Sequence, residues 1–298
     1  MKPSPLRYFR PTSLPDALDV LAQLGDEGKV LAGGQSLIPL LSMRIAAPPA
    51  LVDINSVPGL DQIIVDGGTL RFGALVRHTD LERSDAAFAA QPLLRRALLH
   101  VAHPTIRNRG TTVGSIVHSD PSAEFPAVLT LLGGSVVAHS VNGGQQTERK
   151  IPASEFFVGP LESALRPDEL AVAVEVPVAQ PGEGTALIEL ARRHGDYAMC
   201  GVVAKAVVDG DQLKSLHATY ISTGEMGTVV DLGAEAGSVA VDQVDTDALG
   251  AFARKVVETD ADIHATAEYR SQLVQVLTAR AVRAAIDDAV NGARKEAS

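Results

Sequence analysis

Two adjacent glycines, Gly33 and Gly34, interrupt an apolar stretch near the start of this 298-residue chain. Residues 31–41 read Leu-Ala-Gly-Gly-Gln-Ser-Leu-Ile-Pro-Leu-Leu, which predicts a strand, a tight turn and a helix. Glycine lacks a Cβ atom, so it can adopt positive φ and let backbone N–H groups approach a ligand closely. Such a turn is typical of loops that bind the phosphates of a dinucleotide, although a lone glycine pair more often marks an ordinary connection.

A second segment, residues 108–124, shares this chemistry. It reads Asn-Arg-Gly-Thr-Thr-Val-Gly-Ser-Ile-Val-His-Ser-Asp-Pro-Ser-Ala-Glu and combines glycines, hydroxyl groups and backbone amides ahead of an expected helix. Asp120, Pro121 and Glu124 are typical of the first turn of that helix. Neither segment has the Gly-Lys-Ser/Thr of a Walker A loop or the Gly-x-Gly-x-x-Gly of a Rossmann turn, so the pair favours another phosphate-binding architecture.

The residues around the first glycine pair predict a small βαβ unit. Ser13 is a good N-cap and Pro15 suits a first helical turn, so we expect a helix that stops at Gly25. A strand at 29–31, a helix at 37–43 and a strand at 51–54 complete the unit.

The rest of the chain predicts a larger α+β region and then a second domain. A strand at 70–74, a helix at 93–101 and a hairpin across 142–144 precede an alternating strand at 170–176. Prolines and glycines mark a linker at 179–184. Beyond it we expect a three-stranded sheet backed by helices, with strands at 186–190, 198–208 and 213–222 and helices at 249–257 and 269–290.

Composition limits the classes of partner. The net charge of −10 is spread without long runs, which argues against nucleic acid as a main partner. The N-terminus lacks an apolar signal region, and no segment offers a membrane-length apolar stretch, so we expect a cytoplasmic protein without membrane insertion.

The single cysteine, Cys200, excludes an internal disulfide and cannot supply the four thiolates of an ordinary iron–sulfur cluster. It lies in an apolar run, where a buried strand thiol is the expected role. His100 with His103, and His118 with Asp120, complete no metal-site pattern, so no metal site is predicted. No sequence pattern of a catalytic nucleophile is present either, so no catalytic side chain is assigned.

Four blocks of sequence carry a resemblance to a known family. They are residues 32–37 with 51–54, 106–126, 156–160 with 165–170, and 192–198. In these blocks, and over nearly its whole length, the chain resembles the FAD-binding medium subunit of molybdenum hydroxylases of the carbon monoxide dehydrogenase and xanthine dehydrogenase type.

The resemblance implies an α+β protein with a two-part FAD-binding domain of the vanillyl-alcohol oxidase (PCMH) type. This domain would span residues 1–178, divided into a βαβ subdomain at 1–57 and a larger subdomain at 58–178. Residues 185–298 would form a C-terminal domain like that of the carbon monoxide dehydrogenase flavoprotein, built on the three-stranded antiparallel sheet with helices.

The resemblance also implies an FAD site in which two loops hold the pyrophosphate with backbone amides. Ser36 and Thr111 would add hydroxyl donors, and Tyr197 would cover part of the isoalloxazine ring. Asp120 and Glu124 also suit an ordinary first helical turn. The expected cofactor-binding residues are Ala32, Gly33, Gly34, Gln35, Ser36, Leu37, Ile106, Gly110, Thr111, Thr112, Gly114, Ser115, Asp120, Glu124, Leu170 and Tyr197.

The chain departs from the family pattern at Val113, where the family commonly has a glycine before the one at Gly114. Valine strongly disfavours positive φ. If this position requires positive φ, the loop must shift or FAD must bind more weakly; otherwise the position tolerates a side chain.

By resemblance, the chain is an electron-transfer subunit whose chemistry is carried by FAD. Its partners would be a small subunit with [2Fe–2S] clusters and a large molybdopterin subunit, assembled as a dimer of heterotrimers. Electrons would pass from the clusters through FAD to an external acceptor, and substrate would be hydroxylated only in the full complex. The alternatives are a stand-alone FAD-dependent reductase, which should have an acid or base facing the flavin, and a flavin-free assembly scaffold.

Overall fold

Three parallel strands form a small sheet at the N-terminus, in the order β1-β3-β2. The structure is a computed structural model that describes residues 2–224 and 226–296, with side chains described to residue 292. Ser13 caps the first helix by accepting the Asp16 amide at 3.2 Å, as the sequence predicts, and Gly25 ends it. The elements are β1 (Arg7–Phe9), α1 (Leu14–Leu24), β2 (Gly28–Leu31), α2 (Leu37–Met43) and β3 (Ala50–Asp53).

The larger subdomain is built on a five-stranded antiparallel sheet in the order β4-β5-β10-β6-β7. Helix α8 is buried along its whole length, and β8 pairs with β9 in a separate short ribbon. The elements are β4 (Ile63–Asp66), β5 (Thr69–Gly73), α3 (His78–Arg83), α4 (Asp85–Ala90), α5 (Pro92–Leu98), α6 (Pro104–Arg107), α7 (Thr112–His118), α8 (Glu124–Leu132), β6 (Ser135–Asn142), β7 (Gln145–Pro152), α9 (Ala153–Phe156), β8 (Phe157–Gly159), β9 (Glu162–Ser163) and β10 (Leu170–Pro177).

The last part of the chain folds into an antiparallel sheet of four strands, in the order β11-β12-β13-β14, backed by helices. The predicted three strands are present, but a sheet of only three is wrong, because the two-residue β14 pairs with β13. A strand this short shows no periodicity in the sequence. The elements are β11 (Glu183–Ala191), β12 (Ala198–Asp209), β13 (Gln212–Ile221), β14 (Val230–Asp231), α10 (Gly233–Ala236), α11 (Thr246–Val256) and α12 (Ala267–Glu296).

The second sheet is covered on both faces, which explains why its central strand is almost continuously apolar. Side chains alternate along a strand, so Val203 joins the core of the preceding domain while Val202 and Ala204 join the core under α11 and α12. A polar contact reinforces the packing of the two domains, since Arg96 of α5 donates two hydrogen bonds of 2.6 Å to Asp288 of α12. The two domains are therefore packed together through both apolar and ionic contacts.

Among the described residues, no helix combines the length and the apolar character that a membrane span requires.

Helices α11 and α12 approach each other closely at Gly250. A Cβ atom built on Gly250 would lie 2.3 Å from the backbone carbonyl oxygen of Gln275. We therefore expect Gly250→Ala to lower the free energy of unfolding of the C-terminal domain by about 1–3 kcal/mol, the usual cost of overpacking. Gly292→Ala is the matched control, because nothing lies within 4 Å of a Cβ there and alanine is the better helix former. Equal denaturation midpoints for the two variants would contradict this packing.

Candidate functional site

The two glycine-containing loops touch each other at Gly33. A Cβ atom on Gly33 would lie 2.6 Å from the carbonyl oxygen of Arg109, 2.7 Å from Cα of Gly110 and 2.9 Å from the amide nitrogen of Thr111. These are backbone atoms that cannot rotate away, so only glycine permits this approach. The next residue, Gly34, has φ of +71° and turns the chain into α2.

Side chains brace the two loops from behind. Arg77 donates to the Arg109 carbonyl of the second loop at 2.5 Å and to Oδ1 of Asn55 at 2.7 Å. Asn55 in turn donates to the Ala32 carbonyl of the first loop at 2.9 Å. This chain of hydrogen bonds, which we call the loop brace, ties both loops to the strand ends that precede Asn55 and Arg77.

Asp53 holds the loop brace in place. It accepts from the Asn55 amide at 2.9 Å and from the Tyr8 hydroxyl. Burial by itself would raise the pKa of Asp53, but these hydrogen bonds outweigh it and leave the pKa below its ordinary value. Asp53 is therefore an anion at neutral pH, and its charge supports the donors around it.

A large cavity, about 580 Å³ in volume, opens in front of the paired loops. Its size lies within the range of small-molecule and cofactor sites. Every predicted site residue except Thr112 contributes to its wall: Ala32, Gly33, Gly34, Gln35, Ser36, Leu37, Ile106, Gly110, Thr111, Gly114, Ser115, Asp120, Glu124, Leu170 and Tyr197.

Thr112 is the one predicted site residue that does not line the cavity. Its side chain is fully buried, and its hydroxyl lies 3.0 Å from Nδ1 of His78. The reason is that helix α7 begins inside the second loop, with Thr111 as its N-cap, instead of after it. Val113 is accordingly helical, without positive φ, and its side chain forms part of the cavity wall. The valine therefore imposes no backbone strain on the loop.

The first loop, which lines the cavity, contains unused backbone donors. Among the described residues, the amides of Gly34, Gln35 and Ser36 donate to no acceptor. In the second loop the Thr112, Gly114 and Ser115 amides already donate to Val76 O, Thr111 Oγ1 and Thr111 O. Most of the free amides that could bind an anion thus come from the first loop.

Carboxyl groups also line the cavity. Glu124 is the first residue of α8 and is buried, and burial raises its pKa to about 8, with the charge of Glu189 adding to the effect. Asp120 accepts the Ser122 amide at 2.9 Å, and Tyr197 remains largely exposed at the mouth. The cavity wall therefore combines backbone amide donors with acidic side chains.

Two polar residues near the site have structural roles. Arg107 is buried, pairs with Glu82 at 3.0 Å and donates to the Val101 carbonyl at 3.0 Å. His78 is buried in the wall, and burial lowers its pKa to about 4, so it is neutral at physiological pH. The sequence predicted no role for His78, Asn55 or Arg77, because only long-range contacts bring these residues to the loops.

Much of the remaining wall is apolar and was also not predicted. It comes from β2, α2, the strand ends and the 161–165 turn, and includes Val30, Leu31, Leu40, Ile54, Ala74, Val101, Leu161, Leu165 and Ala171. A flat aromatic ligand with a phosphate-containing tail matches this combination of apolar wall and free amides.

Two family descriptions match successive parts of the chain. Residues 4–179 match the FAD binding domain in molybdopterin dehydrogenase, and residues 185–285 match the CO dehydrogenase flavoprotein C-terminal domain. The chain belongs to the medium-subunit family of the molybdenum hydroxylases. It is thus an FAD-binding oxidoreductase subunit of that family, as the sequence analysis predicted.

Several relatives of known activity are similar over nearly their full length. The 6-hydroxypseudooxynicotine dehydrogenase complex subunit alpha of Paenarthrobacter nicotinovorans is 39% identical over 96% of each chain. The caffeine dehydrogenase subunit beta of Pseudomonas sp. (strain CBB1) is 36% identical over 98% of each chain. Among solved structures, quinoline 2-oxidoreductase from Pseudomonas putida 86 superposes with a TM-score of 0.90 at 30% identity, covering 97% of this chain and 100% of that one.

The residues present fit the family's cofactor. The free amides of the first loop suit a pyrophosphate, which needs donors but no cation. The apolar wall suits the isoalloxazine and adenine rings. When bound, FAD supplies the redox chemistry, and this chain binds it, orients it and excludes water.

The contact at Gly33 predicts a specific loss of cofactor. We expect Gly33→Ala to push the loops apart and weaken FAD binding roughly ten- to hundredfold, equivalent to ~1–3 kcal/mol of overpacking. The readout is the dissociation constant of FAD from the apoprotein, measured by quenching of flavin fluorescence, with Gly292→Ala as control. Unchanged affinity in Gly33→Ala, in a normally folded chain, would show that the close approach of the loops is unnecessary.

Proposed function

We propose that the cavity holds FAD with its pyrophosphate between the two loops. The amides of Gly34, Gln35 and Ser36 and the hydroxyls of Ser36 and Thr111 would bind the phosphate oxygens. Asp120, Glu124 and Tyr197 would lie at the isoalloxazine end. This assignment rests on the free backbone amides of the first loop, which lines a cavity of cofactor size.

We further propose that the chain passes electrons from [2Fe–2S] clusters on a small partner subunit through FAD to an external acceptor. Its own single thiol supports a partner-borne cluster, because Cys200, which is buried in β12, cannot supply the four thiolates of an ordinary iron–sulfur cluster. The relatives named above are likewise subunits of dehydrogenase complexes.

The full assembly in this proposal is a dimer of heterotrimers that includes a large molybdopterin subunit, where substrate is hydroxylated. It would work in the cytoplasm. We also propose the division of the chain into an FAD-binding domain at 1–178, with subdomains at 1–57 and 58–178, and a C-terminal domain at 185–298.

Two other functions compete with this proposal. Glu124 is an acid in the cavity wall, which is the feature expected of a stand-alone FAD-dependent reductase. The match to subunits over nearly the full chain length supports the subunit role instead. A flavin-free scaffold is disfavoured because Val113 leaves the cavity open.

The composition of the purified protein separates these functions. A tagged chain purified from its native cells should contain FAD with roughly four iron atoms and one molybdenum atom per flavin, as expected for two [2Fe–2S] clusters and one molybdopterin. The same chain made alone in a foreign host should contain FAD without metals and should not hydroxylate N-heterocycles or aldehydes. FAD without metals from the native cells would favour the stand-alone reductase, and absence of FAD from both would favour the scaffold.

A further inference from the structure

A histidine and a glutamate form a pair at the seam between the two domains, beside Glu124. Nδ1 of His100, which follows α5, lies 3.3 Å from Oε1 of Glu189 in β11. The Glu189 side chain is only 6% exposed, whereas that of His100 is 34% exposed. The pair therefore connects solvent with the interior of the protein.

Glu189 has one oxygen without a donor. Its Oε2 atom is buried and has no hydrogen-bond partner among the described residues. Buried carboxylate oxygens nearly always have a donor, and the exceptions often belong to sites of proton exchange or bound water. This atom can accept a hydrogen bond from a protonated neighbour, directly or through one water.

Glu124 is the acidic group on the cavity side that interacts electrostatically with this pair. It is buried, lines the cavity and feels the charges of both Glu189 and His100. The other titratable groups that face it are Asp120 and Tyr197. The negative charges of Glu189 and Asp120 raise the pKa of Glu124 and favour its protonated form. Of the groups named, only His100 lowers that pKa.

We propose that Glu124, Glu189 and His100 form a proton-supply site for the flavin. This proposal rests on the proposed function. Reduction of a flavin by two electrons requires at least one proton as well. As two electrons arrive from an iron–sulfur donor, the Glu124 carboxyl gives its proton to a ring nitrogen, so one O–H bond breaks and one N–H bond forms. Glu189 and His100 then return a proton from solvent to Glu124.

The test is the pH dependence of the midpoint potential of the bound FAD in the isolated chain. The wild type should show a change of slope where Glu124 titrates, which burial places above the ordinary pKa of a glutamate. Glu124→Gln should lack it. Glu189→Gln should move it to lower pH, because removing a negative neighbour makes Glu124 easier to ionise. The control is Glu148→Gln, which disrupts a similar pair, His139 with Glu148 at 3.0 Å, on the β6–β7 hairpin, where neither residue lines the cavity.

A rate provides the second readout. Reduction of the bound FAD by dithionite should slow about a hundredfold in Glu124→Gln, the usual effect of losing a general acid, and should be unchanged in Glu148→Gln. If Glu124→Gln fails to retain FAD, the midpoint potential is measured in Glu189→Gln instead. Glu189 does not line the cavity, so we expect this variant to retain FAD.

The outcomes separate the two proposals. A wild-type chain without FAD refutes the proposed function. A chain that binds FAD but has the same potential profile in wild type, Glu124→Gln and Glu189→Gln overturns only the proton-supply site. If Glu189→Gln is the only variant that retains FAD, a pH dependence of its midpoint potential identical to that of the wild type overturns the proton-supply site.

Discussion

The site depends on the contact between Gly33 and the backbone of residues 109–111. Two loops that are far apart in sequence meet there at distances that no Cβ atom allows. Both loops line the cavity, and the amides of Gly34, Gln35 and Ser36 in its wall donate to no acceptor among the described residues. Neutral amides can bind a pyrophosphate without a permanent cation, which suits a chain whose net charge is −10.

The loop brace explains why such a contact is stable without the cofactor. Arg77 and Asn55 connect the carbonyls of both loops, and Asp53, buried at the end of β3, anchors Asn55. Hydrogen bonds to charged groups are worth more than those between neutral groups, so the loops are held in place before a ligand arrives. Preorganisation of this kind lowers the entropy cost of binding.

The second domain completes the site at its other end. Tyr197 lies at the mouth of the cavity, and β11 brings Glu189 beside Glu124. The ion pair between Arg96 and Asp288, together with the core shared by β12, fixes this arrangement. The domain therefore shapes the electrostatics of the flavin end, whereas the loops determine the phosphate end.

Local signals in the sequence predicted much of this structure. Helices α1 and α2 have the predicted bounds, because a Ser13 cap, Gly25 and regular apolar spacing act within a few residues. Helix α7 was missed since its glycine and threonines resemble a loop, and β14 was too short to detect. Fifteen of the sixteen predicted site residues line the cavity, since only Thr112 is absent from its wall. The loop brace and the Glu189 neighbour depend on contacts between distant segments, which a single sequence does not reveal.

A crystal structure of the chain saturated with FAD tests whether the paired loops bind the pyrophosphate. We expect pyrophosphate oxygens within hydrogen-bond distance, about 2.7–3.2 Å, of the amides of Gly34, Gln35 and Ser36. We also expect the contact between Gly33 and residues 109–111 to be retained. A pyrophosphate bound elsewhere in the cavity, or loops that separate to admit it, would show that the paired loops are not the phosphate site.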